Sequence, residues 1–209
     1  AAPIAPAHSP SMAGTTGKMD LVIADQGKTE ATVVVSPTAG VWEAQACTDL
    51  VHYVEMMTGA KMTVVNTPET IAAALKAKTP VLVLGEEAFK AESGLRKALA
   101  KAAKKDPILR ADAIVLKRDG NHVYIAGNHD EAHYYAAAEL LRRWGCRWYS
   151  QTEFGECIPT LAKVAVGELD YAYGAPFEIR GYWISWIGEY NGPNGILSGN
   201  SVRVDTQRK

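Results

Sequence analysis

The sequence predicts an α/β (α+β) fold in which a single layer of helices packs on a mixed β-sheet. Three observations predict it. β-rich runs and helical-period segments alternate along the chain, in the order strand, strand, helix, strand, helix, strand, helix, strand, strand, helix, strand. Residues 113–149 (AIVLKRDGNHVYIAGNHDEAHYYAAAELLRRWGCRWY) hold a hairpin, a long helix and a returning strand in succession. Residues 81–84 are wholly apolar, as expected of a strand covered on both faces.

Taken in order, residues 1–18 are rich in Ala, Pro, Ser and Gly and read as a flexible leader. Residues 20–24 and 31–36 are β-branched runs separated by a polar turn with Gly27, which predicts a hairpin. A helix is expected over 41–58, with Trp42, Ala46, Leu50, Tyr53, Val54 and Met57 on one face and Glu43, Asp49 and Glu55 off it. Residues 62–66 read as a strand. Thr67 caps the next helix, to Ala77, with Pro68 at its first position. Residues 86–105 are helical in composition, weakened by Gly94.

Strands at 113–116 and 122–126 are joined by Asp119-Gly120-Asn121, because Gly accepts the positive φ of a tight hairpin. Asn128 or Asp130 is suited to cap the helix beginning near Glu131. In it Tyr134, Ala137, Ala138, Leu141 and Trp144 share a face, and Gly145 ends it. Residues 146–149 read as a strand, 150–159 as a loop, 161–166 as a last strand and 169–176 as a connector. The aromatic tail 177–186 (FEIRGYWISW) reads as one more strand.

The chain has 209 residues, 47% hydrophobic, with a net charge of −1. That argues against disorder and against a polyanionic partner, since nucleic-acid binding needs a basic surface. No apolar run approaches the ~20 residues of a membrane span. Cys47, Cys146 and Cys157 cannot all pair within the chain. Cys146 and Cys157 either meet across a short loop or, like Cys47, are small buried apolar groups. The leader is compatible with a segment left after export, so a secreted or periplasmic setting is expected.

Candidate chemistry is sparse. His129 and His133 are spaced to share a helix face and a metal, but neither HExxH nor HxxEH is present and no third ligand is evident. GxGxxG, GxxxxGK[ST] and GxSxG are absent, and no cofactor is expected. Glu153, Glu156, Glu178 and Glu189 are candidate acids by type alone. Trp144 and Trp148 flank a helix end and suit a core. Trp183 and Trp186 suit a ligand or a partner domain.

The run GNHDEAHYYAAAELLRRWGCRWYSQTEFGECIP, followed by PFEIRGYW, resembles the N-terminal domain of bacterial α-glucuronidases and related large glycoside hydrolases. A similar domain precedes the barrel of β-N-acetylhexosaminidases. The matching residues are Gly127, Gly145 to Tyr149, Gly155, Ile158-Pro159, Pro176-Phe177 and Arg180, with Met57 to Gly59 and Leu84-Gly85 upstream. The resemblance implies a non-catalytic accessory domain over 19–175. It implies that 176–209 begins a following (β/α)8 barrel, with 177–186 as its first strand. The catalytic acids would then lie on that barrel, at the C-terminal ends of its strands. Arg180 and Trp183, with Trp186 close by, are the implied substrate-binding residues. The partners implied are a carbohydrate and the barrel. Because a barrel takes ~250 residues, the chain is expected to be either a fragment or a domain that stands alone, and not to hydrolyse sugars itself. Two alternatives are a stand-alone carbohydrate-binding module and a small metal-dependent hydrolase using His129 and His133.

Overall fold

The computed structural model describes residues 20–149 and 153–179 (residue 153 by backbone alone), and the backbone of four short strands beyond them. The expected leader, 1–18, lies outside the described residues.

The chain is α/β, as its alternating pattern requires. Its centre is a six-stranded mixed sheet. In chain order its strands are β2 (Thr32–Val34), β3 (Thr63–Val65), β4 (Val81–Leu84), β5 (Ala113–Asp119), β6 (His122–Gly127) and β10 (Asp170–Gly174). They lie side by side as β10-β5-β6-β4-β2-β3. β3, β2, β4 and β6 run parallel, while β5 is antiparallel to both β6 and β10. The helices are α1 (Val41–Thr58), α2 (Pro68–Ala74), α3 (Gly85–Ala91), α4 (Gly94–Ala102) and α5 (Asp130–Arg143). A two-stranded ladder of β1 (Leu21–Asp25) and β9 (Lys163–Val166) and a shorter one of β7 (Arg147–Trp148) and β8 (Glu156–Cys157) complete the domain.

The expected single layer of helices is wrong: helices cover both faces of the sheet. Successive strand residues point to opposite sides, and here both sides are apolar. Val33, Leu82, Leu84, Ile114, Leu116, Val123 and Ile125 pack under α1 and α5 with Leu50, Val54, Met57, Leu140 and Leu141. Val34, Val81, Val83, Val115, Tyr124 and Ala126 pack on the other side with Ile71, Phe89, Leu95 and Leu99 of α2, α3 and α4. The all-apolar Val81–Leu84 run already required this arrangement.

The expected hairpin of the first two strands does not form. Asp25 and Lys28 close a tight turn by exchanging backbone hydrogen bonds of 2.9 Å each. The Thr29 hydroxyl then bonds the Ile23 carbonyl and accepts from the Ala31 N–H at 2.9 Å, which turns the chain away. β2 has β3 on one edge and β4 on the other, so it has no edge left for β1. β1 pairs instead with β9, and Ile23, Val164 and Val166 enter the same core as α1 and α5.

Three boundaries also differ. The helical stretch 86–105 is two helices, broken where Glu92 turns extended and its carboxylate accepts from the Gly94 N–H at 3.0 Å. The connector 169–176 contains the edge strand β10, whose Tyr171 and Tyr173 stack at 6.4 Å. The tail 177–186 is not one continuous strand. Residues 177–179 lie outside any strand, and Tyr182–Ile184 (β11) pairs with Val202–Val204 (β14) in a ladder separate from the six-stranded sheet. Tyr190–Gly192 (β12) pairs with Gly195–Leu197 (β13) in another.

The two long helices are tied to each other by sequence-distant contacts. Tyr134 donates to Asp49 at 2.9 Å and stacks edge-on against Trp42 at 5.6 Å. Asp49, expected off the core face, therefore serves the α1–α5 seam. Trp144 at the end of α5 donates to the Ala165 carbonyl of β9 at 3.0 Å, and Trp148 donates to the Tyr53 hydroxyl at 3.0 Å. Trp144 packs against the core as expected, whereas Trp148, also expected there, is exposed and only its indole nitrogen is tied down. Cys146 is buried against Met57, with its sulfur 3.6 Å from the thioether, and Cys157 is exposed; all three cysteines are free thiols. Among the described residues, no helix is long and apolar enough to cross a membrane.

Candidate functional site

In an open parallel sheet, ligands bind beyond the carboxyl ends of the strands, where neighbouring connections leave in opposite directions. Here that point lies between β2 and β4, because the chain from β2 goes to β3 on one side and then returns to β4 on the other. There the protein packs one of its own acidic side chains against the end of β4. Glu43, in the first turn of α1, is 2% exposed. Its carboxyl group lies on Gly85, where β4 turns into α3 with φ +52°. A side chain at residue 85 would have its Cβ 2.5 Å from Glu43 Oε1, so both the backbone angle and the contact demand glycine there.

Around Glu43 stand Asp130, Glu86 and His133. The Asp130 carboxylate accepts from the Trp42 and Glu43 N–H groups at 3.1 and 3.0 Å and so caps α1 from α5. Gly40, the residue before α1, has no room for a Cβ against that carboxylate. Burial pushes the Glu43 carboxyl up to about 7; the Ser36 and Glu86 backbone N–H groups pull the other way without offsetting it. His133 is buried and its pKa is lowered, first by burial.

The His129–His133 pair does not converge on a metal position. His133 Nδ1 accepts from the Gly127 N–H at 2.9 Å. His129 caps α5, its Nδ1 accepting from Ala132 N–H at 3.2 Å, and its Nε2 lies 2.7 Å from Asp112. Asn128 and Asp130, the expected caps, serve elsewhere: Asn128 ties the start of β5 through Ala111 and Ala113, and Asp130 caps α1. With Nδ1 accepting from Ala132, Nε2 is the nitrogen that donates a hydrogen bond to Asp112, so both ring nitrogens are engaged within the protein. Among the described residues, no three metal-ligand side chains are grouped.

The two candidate acids that are described, Glu156 and Glu178, are engaged in separate places. Glu156 accepts from the Tyr53 hydroxyl at 3.2 Å beside the β7–β8 ladder. Glu178 holds the α4–β5 loop: it pairs with Lys104 at 2.5 Å and accepts from the Leu109 N–H at 2.6 Å. Those partners, Lys104 first, pull the Glu178 carboxyl down to about 2. The Glu153 side chain and Glu189 lie outside the described residues. So do Arg180, Trp186 and the side chain of Trp183; only the Trp183 backbone is described, in β11.

What the structure does present is a set of exposed apolar residues that the sequence reading located only in part. Ile108 is 89% exposed and Leu109 66%, side by side on the α4–β5 loop. The Glu178 carboxylate holds this loop against residues 177–179, where Phe177 is 71% exposed and Ile179 69%. The loop is rigid at its far end too, since Arg110 pairs with Asp112 at 2.9 Å and Glu131 at 2.6 Å. The signal for the missed half was the pair Ile108-Leu109 after Asp106-Pro107, apolar residues in a turn where polar ones are usual. No protein-family model matches the chain, and no curated protein matches its sequence.

Proposed function

We propose that the chain is a non-catalytic accessory domain of an exported, α-glucuronidase-like glycoside hydrolase, and that it packs beside the catalytic barrel. The observation that carries this reading is the exposed aliphatic pair Ile108 and Leu109, presented by a loop that ion pairs hold in place. Large aliphatic side chains gathered on a fixed surface are the mark of a docking face rather than of a reaction site. Glu178 ties this loop to residues 177–179, where the resemblance would have the first barrel strand begin. Arg180, Trp183 and Trp186 remain the residues proposed to border the sugar pocket.

A second reading, a carbohydrate-binding module, is favoured by one observation. Trp148, Tyr149 and Phe154 are exposed by 36, 76 and 91% around the β7–β8 ladder, and aromatic faces of this kind stack on sugar rings.

The purified chain separates these readings. As an accessory domain it releases no product from aryl α-glucuronides or aryl β-N-acetylhexosaminides and runs unretarded through gels containing glucuronoxylan or chitin oligomers. Retardation that Tyr149→Ala or Phe154→Ala removes would favour the module. Product release would overturn both.

A further inference from the structure

Glu43 has a property that neither docking nor sugar binding explains. It is among the largest fully buried side chains, and its Oε1 atom has no hydrogen-bond partner among the described residues. An ionised carboxylate with an unsatisfied oxygen buried from solvent is strongly disfavoured, whereas a protonated acid is tolerated. We propose that Glu43 is folded into the core as the uncharged acid, and that its ionisation loosens the joint where α1, β4 and α3 meet. The domain is then held tightest in mild acid and slackens above neutrality.

The Ser36 and Glu86 backbone N–H groups favour the ionised form, but the ionisable groups facing Glu43 do not. Glu86 of α3 and Asp130 of α5 place negative charge beside it, which opposes a second one. Cys47, one turn along α1, is pushed up to about 11 by burial and by Glu43, so it brings a neutral thiol. His133 of α5 has a lowered pKa and brings no positive charge near neutral pH. Lys90, the cation that feels Glu43 from α3, is paired with Glu87 at 2.6 Å. Gly85 leaves no slack, because its Cα hydrogen side is already in contact with the carboxyl group.

The direction follows from linkage. The folded-state pKa of Glu43 is raised from 4.5 to about 7. Its contribution to stability is therefore complete below pH 4.5 and is lost as pH rises through about 7. His133 acts oppositely: its folded pKa lies below 6.5, so its contribution is present above that pH and is lost in acid. Comparing wild type with Glu43→Gln cancels His133 and isolates the acid.

Urea unfolding of both proteins across the range from mild acid to mild base tests the proposal. The folding equilibrium constant of wild type relative to Glu43→Gln should fall with rising pH by up to roughly 300-fold, then level off. Amides of Gly85, Glu86 and the first turn of α1 should lose protection over the same range in wild type, while those of α2 do not. Should Glu43→Gln fail to fold, carbon-13 NMR of the Glu43 carboxyl in wild type decides the matter. Titration near neutrality supports the proposal. Titration in the ordinary carboxylate range, or a flat difference between the two proteins, overturns it. None of these outcomes depends on the accessory-domain reading.

Discussion

Gly127→Ala is expected to cost about 3 kcal/mol or more, or to prevent folding. A Cβ at Gly127 would run into the carbonyl carbon, carbonyl oxygen and Cβ of Ala132, which is backbone in the first turn of α5 and cannot swing aside. Relief requires β6 and α5 to separate. That separation breaks the bond from the Gly127 N–H to His133 and lifts α5 from the core it shares with α1. Gly120→Ala is the control. It has φ +59° but nothing within 4 Å of the added atom, so only backbone strain of about 1 kcal/mol is expected. Urea or thermal unfolding of the two variants checks the ranking. Equal losses would mean that the β6–α5 turn is looser than the structure shows.

Asp130→Ala is expected to cost about 2–3 kcal/mol, more than an ordinary surface cap. The reason is its partners. The two N–H groups it satisfies open α1, and one of them belongs to the buried Glu43. Without the carboxylate these donors face Gly40 and the core rather than water. Asp130→Asn keeps an acceptor oxygen but loses the charge that favours a helix N-terminus, so a loss of about 1 kcal/mol is expected. Hydrogen exchange should show the first turn of α1 opening in the alanine variant before the sheet does. Protection there unchanged from wild type would rule out the cross-helix cap.

Much of this fold was legible because local chemistry and tertiary packing agreed. The range 41–58 was right to the residue, since its apolar face is the face that meets the sheet and Gly59 stops it. Asp119-Gly120-Asn121 gave its hairpin, and Thr67-Pro68 its helix start. The failures came where partners distant in sequence decided. Two β-branched runs joined by a tight turn suggest a hairpin, but the second run, β2, is the middle of a sheet whose other strands come later. Glu43 looked like a solvent charge because nothing near it in sequence announces Gly85. Asp130 looked like the cap of its own helix, and it caps another one 87 residues away. The alternation in Asp170–Gly174 was present and was passed over as a connector. As for the site, composition marked the aromatic tail, whereas the Ile108-Leu109 half of the exposed face depended on Glu178 reaching back to hold the loop.

The account therefore depends on Ile108 and Leu109 being bare in the chain on its own, as a surface shaped for a neighbour. The most direct measurement is the binding of the fluorescent apolar probe ANS to the folded chain and to an Ile108→Glu/Leu109→Glu variant. Both residues are exposed, so the variant should remain folded, which its urea unfolding checks. The account predicts clear enhancement of the probe by wild type and most of it lost in the variant. No enhancement by wild type, or the same enhancement by both proteins, would contradict it.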